Sequence, residues 1–128
     1  MSYKLTRGVE DYLEAIYHLC GSEGARTKDI ASALGVKPPS VTEMVGRLCE
    51  MGYVTSERYG SVALTPKGER LARKVIHRHK LLVEFLLVIG VSERTAQVDA
   101  CKIEHDLSAQ TVERLTTFVH RTMDQKGG

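Results

Sequence analysis

Apolar residues recur at helical spacing along most of the chain. Between residues 7 and 20, Val9, Leu13 and Ile16 fall on one face of a helix, with polar residues between them. The same spacing returns five more times, and each stretch is bounded by residues that favour a helix end. The predicted helices span residues 7–20, 27–34, 38–51, 66 to about 89, 92 to about 107, and 108 to the polar tail at 124–128.

Residues with capping chemistry mark several of these helix ends. Thr27 is predicted to cap the second helix, and Gly35 is predicted to end it in a left-handed conformation. Thr65 is predicted to cap the fourth helix, with Pro66 at its first position and Glu69 close enough to support the cap. Ser92 and Ser108 are predicted to cap the fifth and sixth helices. The fold is therefore expected to be mainly α.

Two β-prone runs interrupt the helices. The runs 53–56 and 61–65 flank a short segment that contains Gly60, which predicts a small β-hairpin. Helix, helix, tight turn, helix and hairpin follow one another in the order of a winged helix-turn-helix.

The second helix of such a motif lies in the DNA major groove, and its N-terminal residues face bases and phosphates. Hydroxyl and basic side chains bind phosphates or base edges, and prolines offer apolar surface to thymine methyl groups. A winged helix that serves only protein contacts is the alternative, but basic residues on both the reading helix and the wing tip favour double-stranded DNA. The candidate DNA contacts are Lys28, Lys37, Pro38, Pro39, Ser40, Thr42, Glu43 and Arg47, with Arg58 and Tyr59 at the wing tip.

The composition is that of a globular protein, with 42% hydrophobic and 27% charged residues and no Trp. Residues 1–80 hold 13 Lys and Arg against 9 Asp and Glu, whereas residues 81–128 hold 5 against 7, so the first part is basic and the second acidic. No apolar run approaches the roughly 20 residues that span a bilayer, and the N-terminus lacks the apolar stretch of a signal peptide. We therefore expect a cytoplasmic protein without a membrane partner.

Three clusters of metal-binding residue types remain once the DNA-binding motif is set aside. The first helix carries two carboxylates three residues apart, the fourth carries a histidine, and the fifth carries a thiol, a carboxylate and an imidazole at i, i+3 and i+4. Each cluster alone has an ordinary alternative: a solvated helix face, a surface histidine or a small buried cysteine. Together they supply the donors of a divalent-metal site. The candidates are Asp11, Glu14, His79, Cys101, Glu104 and His105.

Several segments resemble the diphtheria toxin repressor and manganese transport regulator family of metal-dependent transcriptional repressors, and the resemblance covers nearly the whole chain. Its most specific stretches are residues 10–17, 39–45, 64–68, 78–82 and 103–108. The resemblance implies a homodimeric repressor with a metal corepressor and a palindromic operator. It implies an N-terminal winged helix-turn-helix domain over residues 1–72, followed by an α-helical metal-binding and dimerisation domain over residues 73–128. The dimer contacts that it implies are Leu107, Val112, Leu115, Phe118 and Val119.

The resemblance does not point to a single metal. Cys101 stands where the manganese regulator has a glutamate and the iron-type branch a cysteine, whereas Asp11 stands where the iron-type branch has a methionine. The ancillary site of the iron-type branch is expected to be absent, because Val83 and Gln97 replace its donors. The SH3-like domain of that branch is also expected to be absent, as in the shorter manganese-type regulators. Carboxylates suit Mn²⁺ and a thiolate suits softer ions. We therefore expect Mn²⁺ or Fe²⁺ as corepressor, with Zn²⁺ or Co²⁺ also open.

A second class of effector stays open from the residues alone. A winged-helix transcription factor could respond to a small organic ligand in its helical half rather than to a metal. A metalloenzyme would need an open coordination position and a base in a cleft, and the sequence has no motif for either. We expect neither catalysis nor an organic substrate.

Overall fold

The computed structural model describes residues 6–20, 24–57 and 60–127. Within these ranges the chain forms six helices and three short strands, which confirms the mainly α fold. Their bounds are α1 (Arg7–Leu19), β1 (Ala25–Arg26), α2 (Thr27–Leu34), α3 (Pro38–Glu50), β2 (Val54–Ser56), β3 (Ser61–Leu64), α4 (Pro66–Val88), α5 (Glu93–Ile103) and α6 (Ala109–Gly127). The chain divides into two compact units within α4, between Lys74 and Val75. The expected domain boundary after residue 72 stays a prediction.

The first helix turns one face to the core of the first unit. Val9, Leu13 and Ile16 are buried there, the last two completely. Asp11 and Glu14 lie on the opposite side of α1 and are half-buried. The helical register therefore separates the residues that hold α1 in place from those that offer metal-binding chemistry.

The predicted helix-turn-helix is present in α2 and α3. Gly35 follows α2 with φ 66° and ψ 33°, a left-handed conformation that glycine adopts without a steric penalty. Beyond this turn, Pro38 opens α3, as its fixed φ favours. The two helices pack through Ile30 and Val41, which are fully buried in one core. This packing leaves the N-terminal side chains of α3 exposed.

The prediction that Thr27 caps α2 is wrong. Arg26 occupies the N-cap position, and its side chain makes no capping hydrogen bond. The Thr27 hydroxyl instead donates to the carbonyl oxygen of Gly60 at 3.2 Å. Thr27 is thus the first residue of α2 rather than its cap, and its hydroxyl bonds to a residue 33 positions away.

The wing is a three-stranded antiparallel sheet in the order β1-β3-β2. The predicted hairpin is confirmed, with Val54 opposite Leu64. The additional strand β1 pairs Ala25 with Val62. Two residues are too few to show a strand periodicity, so this strand could not be read from the pattern of the sequence.

The start of α4 confirms its predicted cap. The Thr65 hydroxyl accepts a hydrogen bond from the N–H of Gly68 at 3.1 Å and donates to the carbonyl oxygen of Gly52 at 2.6 Å. The expected support from Glu69 is not made, because its carboxylate pairs with Arg73 at 2.7 Å, one turn further along the helix. Capping and ion pairing thus use different residues.

The second unit is built on a small apolar core. Leu82 and Val83 from α4 pack with Ala96 and Ala100 from α5, and all four are buried. Both alanines are fully buried, and their side chains contribute to the core that α5 shares with α4. This contact fixes the register of α5 against α4.

Both later helices begin at the predicted caps. The hydroxyls of Ser92 and Ser108 accept hydrogen bonds from the backbone N–H three residues further on, at 3.4 and 3.2 Å. The end of α5 differs from the prediction, since the helix stops at Ile103 rather than near Leu107. Glu104 is its C-cap, and the chain then turns so that α6 can begin after Ser108.

No helix within the described ranges combines the length and the apolar character that crossing a membrane requires. The longest, α4, has 23 residues, and its first half is rich in Lys and Arg.

Candidate metal centre

Four of the predicted metal ligands lie in the second unit, where two helices position them. His79 lies on α4, and α5 buries Ala96 and Ala100 in the core. The residue that follows each alanine, Gln97 and Cys101 respectively, shares one side of α5 because the two are four residues apart. The packing of α5 therefore places a polar pair beside the helix that carries the histidine.

The imidazole of His79 is the centre of this arrangement. Its Nδ1 atom lies 2.8 Å from Oε2 of Glu104 and 3.8 Å from Sγ of Cys101. The side chain of His79 is 19% exposed, so it lies largely away from solvent. An imidazole nitrogen, a carboxylate oxygen and a sulfur atom thus converge.

The carboxylate of Glu104 joins two histidines. While its Oε2 faces His79, its Oε1 lies 3.3 Å from Nε2 of His105. The side chains of Glu104 and His105 are each 2% exposed. A buried carboxylate that divides its two oxygens between two imidazoles is the most distinctive feature of the second unit.

The chemistry of these donors fits a divalent transition metal. Imidazole nitrogen, carboxylate oxygen and thiolate sulfur are all first-row metal ligands. Burying an ionised carboxylate as deeply as that of Glu104 costs desolvation free energy unless a positive charge lies nearby. A divalent ion would supply that charge. His79, Cys101, Glu104 and His105 could therefore hold the expected metal.

The other side of the His79 ring faces Gln97, which the sequence indicated only as the replacement of an ancillary-site ligand. The Nε2 atom of His79 lies 2.7 Å from the amide oxygen Oε1 of Gln97. The spacing of four residues between Gln97 and Cys101 is the signal that could have revealed it, since it puts both on one side of α5.

Asp11 and Glu14 belong to the first unit, where they line one pocket of about 280 Å³ with His18 and Leu34. The Oε2 atom of Glu14 is buried and has no hydrogen-bond partner among the residues that the structure describes. Such an oxygen is unfavourable unless a donor or a cation reaches it. A donor or a cation that reached this oxygen of Glu14 would remove the penalty.

The expected DNA contacts within the described ranges are all exposed. They are Lys28 on α2, Lys37 before α3, and Pro38, Pro39, Ser40, Thr42, Glu43 and Arg47 on α3. Arg47 pairs with Glu43 at 3.1 Å, and the Thr42 hydroxyl donates to the carbonyl oxygen of Pro38 at 3.3 Å. Arg58 and Tyr59 lie outside the described residues.

The expected dimer contacts differ in exposure. Phe118 is 47% exposed, while Leu107, Val112 and Leu115 are half-buried. Val119 is fully buried within the single chain, and its expected contact with a partner stays a prediction.

Known proteins match the chain over almost its whole length. The family described as "Iron dependent repressor, N-terminal DNA binding domain" matches residues 4–62, and its "metal binding and dimerisation domain" matches residues 65–127. The chain is 45% identical over 115 residues to the HTH-type transcriptional regulator MntR of Lysinibacillus sphaericus, a match that covers 89% of this chain and 83% of that protein.

Solved structures of metal-dependent regulators are also similar to the chain. The manganese regulator SloR is similar with a TM-score of 0.76 and 33% identity, over 91% of this chain and 55% of that one. A manganese-dependent transcriptional repressor in complex with manganese is similar with a TM-score of 0.78 and 29% identity, over 88% of this chain and 52% of that one.

These matches confirm the predicted double-stranded DNA partner, the divalent-metal cofactor and the homodimer, and they favour a metal over an organic ligand as effector. The chain belongs to the iron-dependent repressor family and is a metal-dependent transcriptional repressor.

Proposed function

We propose that His79, Cys101, Glu104 and His105 bind the corepressor metal of this repressor. The observation that carries the proposal is the Glu104 carboxylate, 2% exposed, with one oxygen 2.8 Å from His79 and the other 3.3 Å from His105. Bound there, a divalent ion supplies the positive charge that a buried carboxylate requires. His79 and Glu104 already lie 2.8 Å apart, so these two donors are held close together before binding.

We propose Mn²⁺ or Fe²⁺ as the physiological corepressor. Several similar proteins are named as manganese regulators. Cys101 adds a thiol 3.8 Å from His79, a soft donor that strengthens binding of Fe²⁺, Co²⁺ and Zn²⁺ relative to Mn²⁺. Because affinity rises along the first-row series, Zn²⁺ and Co²⁺ should also bind in vitro, and the supply of each metal in the cell selects among them.

We propose Asp11 and Glu14 as further ligands. Support comes from the resemblance of the sequence and from Glu14, whose Oε2 is buried without a hydrogen-bond partner among the described residues. The helix that carries them shares its core with the helix-turn-helix. A metal ligand on α1 would therefore link metal binding to the DNA-binding unit, and such coupling typically amounts to about 1–3 kcal/mol.

We propose that α3 reads the major groove of a palindromic operator, with one copy of the chain on each half-site. The support is the exposure of its N-terminal side chains, among them Ser40 and Thr42, and of Lys37, which precedes the helix. Lys28 and Arg47 add positive charge for phosphate contacts. The contacts of Arg58 and Tyr59 at the wing tip are proposed from the sequence alone.

We further propose that the chain acts in the cytoplasm and has no catalytic activity. Its similar proteins are transcriptional regulators, a class that is not enzymatic. Operator binding must occur where the chromosome is.

The test is a titration of operator binding against each metal, under anaerobic and reducing conditions that keep the Cys101 thiol intact. The operator is first selected from random duplexes by the purified protein with Mn²⁺. Glu104→Gln keeps the shape of the side chain and removes its charge. We expect this variant to fold normally by circular dichroism and to lose metal-stimulated binding of the operator in fluorescence anisotropy.

The matched control is Glu113→Gln, the same change at an exposed residue of α6, which should behave as wild type. If Glu104→Gln required the same metal concentration as wild type for operator binding, the proposed ligand set would be wrong.

A further inference from the structure

We propose that Gln97 is a positioning residue for the corepressor metal: its amide oxygen holds the hydrogen on Nε2 of His79 and so directs the Nδ1 lone pair to the ion. This inference rests on the proposed metal site, because it assumes that His79 is a ligand. It gives a role to a residue that does not itself touch the metal.

The first step is the geometry of the His79 ring. Nδ1 is the nitrogen that lies near the other candidate donors, 2.8 Å from Glu104 and 3.8 Å from Cys101. Nε2, on the other side of the ring, lies 2.7 Å from Oε1 of Gln97. The ring therefore has one nitrogen for the metal and one for the amide.

The second step is the chemistry of imidazole. A neutral ring has one N–H and one lone pair, and a metal takes the lone pair. When Nδ1 binds the metal, Nε2 must carry the hydrogen, and an amide oxygen is an acceptor suited to it. Histidine ligands commonly donate their second N–H in this way, which fixes both the tautomer and the ring orientation.

The third step is the rigidity of the support. Gln97 follows Ala96 on α5, and Ala96 is fully buried in the core that joins α5 to α4. The same helix carries Cys101, four residues on, so α5 supplies a donor near one ring nitrogen and an acceptor at the other. The amide also occupies Nε2, so a second metal on that side of His79 would first have to break this hydrogen bond.

The test compares Mn²⁺ affinity among single variants of the full chain, measured from the electron paramagnetic resonance signal of free Mn²⁺. Gln97→Leu removes the acceptor. Position 97 is exposed, and the apolar leucine side chain limits the access of a water molecule that could accept the Nε2 hydrogen in place of the amide. We expect its affinity to fall about tenfold to a hundredfold, as is typical when the partner of a ligating histidine is removed. Gln97→Glu retains an acceptor and should bind Mn²⁺ at least as tightly as wild type.

A second readout reports the tautomer directly. In the Zn²⁺-loaded protein, ¹⁵N spectra of the His79 ring should show Nδ1 bound to metal and an Nε2–H that exchanges slowly with water. In Gln97→Leu we expect this hydrogen to exchange faster while other exchange rates stay unchanged. A general destabilisation of the helix would instead raise exchange rates at many positions. Gln110→Leu, the same change at an exposed residue of α6, is the control and should match wild type in both measurements.

The outcomes separate this inference from the site on which it rests. If His79→Ala weakens Mn²⁺ binding while Gln97→Leu leaves both affinity and exchange unchanged, the role of Gln97 is refuted and the metal site stands. If neither change weakens binding, His79 is not a ligand and both proposals fail. An equal loss in Gln110→Leu would also overturn the inference, because the effect would not be specific to the ring contact.

Discussion

As a proposed metal ligand, the thiol of Cys101 would influence how strongly the site discriminates among metals. The Sγ atom of Cys101 lies 3.8 Å from Nδ1 of His79, within reach of any ion that the imidazole binds. A thiolate gains more from Zn²⁺ than from Mn²⁺, whereas carboxylate oxygen suits Mn²⁺ well. If Cys101 binds the metal as proposed, it would therefore favour Zn²⁺ over Mn²⁺ when both ions are present.

Cys101→Ser should reduce the difference in affinity between Zn²⁺ and Mn²⁺. The hydroxyl occupies nearly the same space but is a hard and weakly basic donor, so we expect the affinity for Zn²⁺ to fall by a larger factor than that for Mn²⁺. Competition with a chromophoric chelator measures both constants. Cys49→Ser, a change at a half-buried cysteine of α3, serves as the control. Equal losses for the two metals would show that Cys101 does not bind them.

Residue identity could be predicted from the sequence more readily than residue orientation. The i, i+3, i+4 spacing singled out Cys101, Glu104 and His105, although α5 ends at Ile103 and His105 lies beyond its C-cap. That Gln97 meets the ring of His79, and that Val119 is buried within its own chain, depends on how α5 and α6 pack. No pattern in one segment contains that information.

At the scale of elements, local contacts explain which helix ends could be foreseen. Thr65, Ser92 and Ser108 each bond to a backbone N–H three residues away, so the sequence alone suffices. Thr27 does not cap α2, and its hydroxyl makes a contact with Gly60 that no local pattern predicts, since the two residues are far apart in the chain. The strand β1 was missed for the same reason, since it exists only through its pairing with β3.

Gly68 is the point at which α4 meets the segment before the wing. A Cβ atom at this position would overlap the carbonyl oxygen and carbon of Tyr53, both backbone atoms that cannot swing aside. The helix begins here, held by the Thr65 cap, so the overlap cannot be relieved by local fraying.

Gly68→Ala should therefore lower the free energy of unfolding by about 1–3 kcal/mol, the usual range for overpacking. Gly46→Ala is the matched control on α3, where an added Cβ meets nothing within 4 Å. Replacing a glycine inside a helix restricts the unfolded chain, so this control should gain about 0.5–1 kcal/mol. Urea denaturation measures both, and opposite signs are the result that supports the close contact.

At the scale of the whole molecule, the family defines a homodimer, and α6 offers an exposed apolar residue for its interface. Phe118 contacts Phe85 edge to face, with ring centroids 5.9 Å apart, and is still 47% exposed. An aromatic ring that its own chain holds on one side and leaves open on the other is a preorganised anchor for a partner. The neighbouring Val119 is fully buried, so this part of α6 is packed against its own chain.

Phe118→Lys should weaken the dimer. A lysine in a buried interface loses the apolar contact and brings in a charge that must be desolvated, and loss of an anchor of this kind is expected to cost about 2 kcal/mol, or roughly thirtyfold in the dimer Kd. Operator binding should fall with it, because a palindromic site engages both copies at once. Sedimentation equilibrium measures the dimer, and anisotropy measures DNA binding at saturating Mn²⁺. Thr117→Lys adds the same charge at the exposed neighbouring residue and should leave both unchanged. A Phe118→Lys protein that stayed as dimeric as Thr117→Lys would place the interface on another face.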